Sequence, residues 1–401
     1  MKRQSGFTLI ETLVAMTLML IVVAAVMGAL NDATHATEMV SLMADTQENL
    51  RAGMNYMVRD LQQAGNGIPQ AGISIPNSGG ASPTSNTTRP PTGFGSFPTT
   101  WTVLPAITAG YRAGATTTTS GVATDMVTVL YADTSLVDAN GNWLNKYPIR
   151  GTAGTAGCAS GNSNPQGTIV ASGTGGTAPV TITFDTSCMI INNGNTGIQP
   201  GDLILLQNNN STGSLSQTSS DASVDNSTAG NNCLMVVSSV NQAANSITFS
   251  SGDAFGLNSS GQPYGTVARI ESPASTGTFP PTVATRVWMI TYYVDNSNPS
   301  RPQLMRQVNL KPATAVGDEV EHLQVFYDII NAGSSPVTVS AEVENPTVAQ
   351  LPYIRDAYII LYARSDSKFS LSNDFVRNNL ETVVSIRGMD FYNQFTSTQN
   401  P

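Results

Sequence analysis

Charge is scarce in this 401-residue chain: only 11% of its residues are Asp, Glu, Lys or Arg, and the formal balance is −9. Phosphate binding needs clustered Lys and Arg, so no nucleic-acid surface is expected across the molecule as a whole, beyond a small local patch. Histidine is rarer still, with His35 and His322 alone, and no HExxH, GxxxxGK[ST], GxSxG or CxxC spacing occurs. The usual zinc, phosphate and nucleophile signatures are missing, so no enzyme is expected, and no catalytic residue, cofactor or metal is assigned. His35 and His322 are read as structural or surface residues. Glu319 and Glu321 flank the strand of His322, but carboxylates two apart on a strand edge are expected to form a solvated face rather than an acid/base pair. Asp138-Ala139-Asn140-Gly141-Asn142 alternates acids and amides as calcium loops do. Its glycine is fourth rather than sixth, and Pro148-Ile149 stand where the closing glutamate belongs, so a β-turn is preferred and calcium is the lesser alternative. Cysteine is limited to Cys158, Cys188 and Cys233. In an oxidising exterior, two of these three are expected to form one disulfide, and the sequence does not choose the pair.

Basic residues are also absent from the whole stretch between Arg3 and Arg51. Within it, Phe7 to Leu30 form a run of 24 residues whose only ionisable group is Glu11. As a helix the run measures about 36 Å, enough to cross a bilayer core of about 30 Å with some tilt. Lys2 and Arg3 just before it keep residues 1–6 in the cytoplasm and send the remainder outward. A secretory signal peptide shares the basic start and apolar core. The run is longer than such a core, however, and it holds a carboxylate that costs roughly 2.5–3.5 kcal/mol inside hydrocarbon. An acid retained at that cost usually has a partner.

The residues Gly6-Phe7-Thr8-Leu9-Ile10-Glu11 resemble the class III leader of type IV pilins and of type II secretion pseudopilins. The resemblance implies cleavage by a prepilin peptidase between Gly6 and Phe7, N-methylation of Phe7, and subunit assembly through Glu11, which accepts the amino-terminal charge of a neighbouring subunit. The physics agrees: an ammonium and a carboxylate that are each costly in an apolar filament core become tolerable when paired.

Helix is expected to continue beyond the membrane, because residues 31–64 lack proline and Met39, Leu42, Met43, Leu50, Met54, Met57, Val58 and Leu61 recur at spacings of three and four. Asp45, Glu48, Arg51, Arg59 and Asp60 are placed on the opposite, wet side. Gly65 supplies the stop. The expected organisation is a leader at 1–6, a transmembrane helix at 7–30, its amphipathic extension at 31–65, a Gly/Pro/Ser/Thr-rich loop region at 66–124 with Phe94, Phe97 and Trp101 pinning it, and a β-rich head at 125–401. Strands are expected at Asp125–Tyr131, Val180–Phe184, Leu203–Leu206, Leu234–Val240, Ser246–Ser250, Val287–Val294, Leu323–Ile330, Val337–Val343 and Tyr358–Ala363. Residues 150–179 and 208–232 read as polar excursions. The fold class is α+β: a long N-terminal helix carrying a large, mainly antiparallel β head with long loops.

Further segments extend the resemblance to one branch, the PilW-type minor pilins. They are Arg59–Gly65, Asp125–Tyr131, Gly201–Leu206, Tyr292–Val294 with Leu304–Arg306, Glu319–Tyr327 and Thr382–Arg387, in that order. The branch implies a minor pilin that promotes initiation of type IV pili at or near the tip. Its implied partners are the prepilin peptidase, major and other minor pilins, and inner-membrane assembly machinery. Its implied location is the inner membrane with an extracytoplasmic head, then the pilus at the cell surface. The alternatives are a type II secretion minor pseudopilin and a tip adhesin binding through loops 66–122.

Overall fold

The computed structural model describes residues 8–69, 72–76, 103–116, 121–133, 167–171, 179–186, 191, 197–208, 232–258, 282–331, 338–347 and 349–386. Gly6, Phe7, Cys158, Cys188, the 138–142 turn and the aromatics at 94, 97 and 101 lie outside these. Among the described residues, one long α-helix, a short 3-10 turn at Leu351–Tyr353 and a set of antiparallel sheets form an α+β architecture.

Helix α1 runs unbroken from Leu9 to Gln63, 55 residues or about 82 Å. Its apolar first part is unburied: the membrane-length window shows none of its residues inside the protein. Burial begins in the second half, where Leu42, Leu50, Met54, Met57 and Leu61 turn toward the head. Full burial of side chains such as Met57 and Leu61 contributes about 1.5–3 kcal/mol each. Met39 and Met43, expected in the same stripe, stay 43% and 39% exposed because the head reaches them only partly. Close approach is achieved at Gly53, where a Cβ would lie 2.8 Å from Leu304 Cδ2. After Gln63 the chain turns through Gly65 at φ +78°, a left-handed conformation glycine adopts without strain. The Gly65 amide then donates to the Leu130 carbonyl at 2.9 Å, handing the backbone from helix to sheet.

The central sheet has seven strands: β3 (Ile107–Gly110), β4 (Met126–Ala132), β7 (Leu203–Asn208), β8 (Asn232–Val236), β11 (Thr282–Asp295), β12 (Gln303–Val308) and β13 (Thr314–Asp318). β11 is its spine, pairing β4 on one side, and β7 then β12 along the other. A second sheet, in the order β15-β14-β16-β17, comprises β14 (Val320–Asn331), β15 (Thr338–Val343), β16 (Ile354–Phe369) and β17 (Asp374–Ser385). A smaller sheet joins β5 (Gly167–Ala171), β6 (Val180–Phe184), β10 (Ser246–Phe249) and β9 (Ser239–Asn241), and β1 (Ile73–Ser74) pairs β2 (Val103–Leu104).

Alternation along β7 explains the two cores. Leu203 and Leu205 face the main core, shared by α1, the central sheet and the β14–β17 sheet, while Ile204 and Leu206 face a second core under the small sheet. The uninterrupted apolar run of β7 is what burial on both faces requires.

Several expectations are corrected. The region 66–124 contains strands β1 to β3 and a bridge between Thr116 and Ala123 rather than loop alone. The excursion at 150–179 contains β5, held by β6. The run expected as one strand over Leu234–Val240 is two strands, broken at Val237-Ser238. The second sheet also gains β17, twelve residues long.

Candidate functional site: the helix and its junctions with the head

The start of α1 is built by Thr8 and Glu11. Thr8 is the N-cap, and its backbone N–H and hydroxyl each donate to Glu11 Oε2 at 2.9 Å, while the Glu11 N–H donates to Thr8 Oγ1 at 3.4 Å. This reciprocal capping box satisfies otherwise orphaned amides and sets a carboxylate at the positive end of the helix dipole. Glu11 is thus folded onto its own helix end, immediately after the Gly6-Phe7 junction. Beyond it the apolar residues stand free, with Leu13 56%, Met19 68% and Met27 64% exposed.

Farther along, α1 meets the β16–β17 turn. The Ser370 hydroxyl and amide bond the Glu38 carboxylate at 2.5 and 3.1 Å, and His35 Nδ1 lies 3.0 Å from Ser370 Oγ. The Phe369 ring packs edge-on to His35 at 6.0 Å. His35 is therefore a latch residue between helix and hairpin. Bonds from Ser370 hold Glu38 below the usual carboxylate range.

The strongest junction lies near the end of α1. Asp60 is wholly buried, contrary to its expected place on the wet face. Arg306 Nε donates to its Oδ2 at 2.7 Å, Tyr292 Oη to the same oxygen at 2.5 Å, and Tyr131 Oη to Oδ1 at 3.2 Å. These partners come from β12, β11 and β4, so one carboxylate ties the helix to three adjacent strands. Burial and then the Asp60 charge push both tyrosine hydroxyls far above their ordinary value. Burial opposes the Arg306 charge, yet its bond to Asp60 carries its pKa above the ordinary guanidinium range. The missed signal is spacing: Asp60 follows Met57 by three residues and so shares the buried stripe.

The Glu319/Glu321/His322 group also differs from expectation. Glu319 is 2% exposed and sits at φ +56°, with Arg364 Nε donating to it at 3.0 Å. Glu321 pairs with Arg377 at 3.1 Å and Arg364 at 3.6 Å, so the two carboxylates are neutralised by arginines rather than solvated. His322 lines an open cavity of about 580 Å³ with Arg112, Gln324, Tyr362 and Asn379. Burial lowers its pKa, partly countered by Asp125. The unfolded chain takes up this proton near pH 6.5 and the folded chain only at lower pH, so stability falls as pH drops below about 6.5. In melts of the detergent-solubilised protein between pH 7.5 and 5.5, His322→Gln is expected to flatten that decline; an unchanged slope removes His322 as its source.

Cys233 is a free thiol buried on β8, and burial pushes its pKa up. It is expected to resist iodoacetamide in the native protein and react on unfolding. Rapid native alkylation would contradict its position. Among the described residues, no group of three or more His, Cys, Asp and Glu is placed to hold a metal.

One family model matches, the prokaryotic N-terminal methylation motif, over residues 1–27. No curated protein and no solved structure matches the chain. The matched residues contain the Gly6-Phe7 junction, the Thr8–Glu11 cap and most of the unburied apolar run. Together with that helix, long and apolar enough to cross a membrane, the motif supports a membrane-anchored type IV pilin-like protein and implies processing by a prepilin peptidase.

Proposed function

We propose that the protein is a minor pilin that promotes initiation of type IV pili and sits at or near the pilus tip, with a structural rather than catalytic role. The observation that carries this reading is the complete Gly6–Glu11 motif at the start of an exposed apolar helix whose far half is clamped into a large head. The exposed half is surface for membrane and then for neighbouring helices, and the clamp lets force on the helix reach the head. A head with this many long inter-strand segments suits a rare subunit, because a densely repeated lattice would be crowded by them. The same motif serves type II secretion pseudopilins, which makes that role the second reading. Counting surface pili in a strain lacking the gene, with exoprotein secretion assayed in the same culture, separates them. Few pili with normal secretion is the expected result; normal pili with lost secretion would favour the pseudopilin.

A further inference from the structure

We propose that the turn joining β16 and β17 is a second membrane contact, resting on the headgroup layer of the outward leaflet while the subunit is still in the bilayer. This rests on reading α1 as the membrane span. Thr12 to Leu30 contain no ionisable group, and these 19 residues measure about 28 Å, close to the core thickness of about 30 Å. Glu11 then marks the inner boundary and Leu30 the outer, with Asn31 and Asp32 following in the headgroups.

The head first touches the helix at His35, all of residues 8–34 being exposed. His35 lies five residues past Leu30, about 7.5 Å along the axis, where the headgroup layer itself is about 5–7 Å deep. The hairpin descends to this level. A Cβ on Gly53 would lie 3.7 Å from Leu361 Cδ1, whereas Ser370 bonds Glu38. From Leu361 to Ser370 the strand covers at most about 30 Å, shortened by the bulge between Arg364 and Lys368, while Gly53 to Glu38 covers about 22 Å of helix. β16 thus runs alongside α1 toward the membrane and brings its turn to the level of His35 and Glu38.

The turn carries Leu371, 71% exposed; Lys368, three residues before it on β16, holds its amine 5.7 Å from the Phe375 ring centroid, and the exposed Asp374 follows the turn, paired with Arg377. A lone exposed leucine is ordinary on a protein surface. At the outer edge of the headgroups, on the same hairpin as a cation that attracts lipid phosphate, it suits the interface. A single span leaves the head free to roll about the helix axis; a second contact fixed by Glu38 and Ser370 removes that freedom before assembly.

The test places the photoreactive residue p-benzoylphenylalanine at position 371 of the full-length protein in vesicles of phosphatidylethanolamine and phosphatidylglycerol. Position 27, within the span, is the positive control. Position 339 is the negative control: Val339 pairs Ile330, next to the Ile329–Ile354 pair at the end of the same sheet opposite Ser370. Lipid adducts at 371 several-fold above those at 339 are expected, with position 27 strongly labelled. Adducts at 371 no greater than at 339, or adducts to a second copy of the chain instead of lipid, would overturn the contact. Absence of lipid adducts at 27 as well would overturn the span itself and the contact with it.

Discussion

Replacing Asp60 with alanine is expected to destabilise the protein by about 3 kcal/mol, measured by urea unfolding of the full chain in detergent. The loss comes from what is left behind. The Arg306 side chain is only 16% exposed and would keep its charge without a partner, while the Tyr131 and Tyr292 hydroxyls would lose their acceptor. The figure sits at the low end for a broken buried pair because Arg306 still reaches solvent. Asp60→Asn keeps an acceptor and should lose less. In an Asp60→Leu background, Arg306→Met should recover part of the loss, since removing both charges leaves neither buried alone. A loss below about 0.5 kcal/mol for Asp60→Ala, the range of ordinary surface changes, would mean that the network does not hold helix to head.

Glu11→Ala is expected to leave cleavage after Gly6 intact while reducing incorporation into pili at least about tenfold, the equivalent of 1.4 kcal/mol of lost subunit pairing. The Thr8–Glu11 cap provides a way to separate two effects. Glutamine also serves at this capping position, so Glu11→Gln keeps the helix start and removes only the charge. If assembly depends on pairing with a neighbour's Phe7 amine, Glu11→Gln fails nearly as badly as Glu11→Ala. If only the cap matters, Glu11→Gln assembles normally. Unchanged piliation in Glu11→Ala would sink the pairing altogether.

Patterns that survive at the level of a single element were legible in the chain. The helix shows its apolar run and its later three-and-four spacing, and β6 shows its alternation; the structure places them at Leu9–Gln63 and Val180–Phe184. β17 was not legible as a full strand because only Val384 in it is buried, so its sequence, Asp-Phe-Val-Arg-Asn-Asn-Leu-Glu-Thr-Val-Val-Ser, looks like surface. β5 was hidden because its three strand formers, Thr168-Ile169-Val170, are a short run within a Gly/Ser/Thr-rich stretch, and pairing to β6 is what fixes them as a strand. Charge was the least transferable signal. Asp60 and Glu319 look solvated in sequence, and each becomes buried because an arginine distant in the chain, Arg306 or Arg364, comes to it through the sheet. The Gly6–Glu11 motif needed no tertiary information, since it is a contiguous run of six residues and is matched as linear sequence.

The most direct measurement is the mass and amino-terminal sequence of the protein recovered from membranes of a strain with an intact prepilin peptidase and from one lacking it. A chain beginning at Phe7 and carrying one added methyl group in the first strain, and beginning at Met1 in the second, is the predicted result. A chain that keeps Met1 to Gly6 in both strains, or that is cut beyond Leu30 as a secretory signal would be, would contradict the pilin-like account.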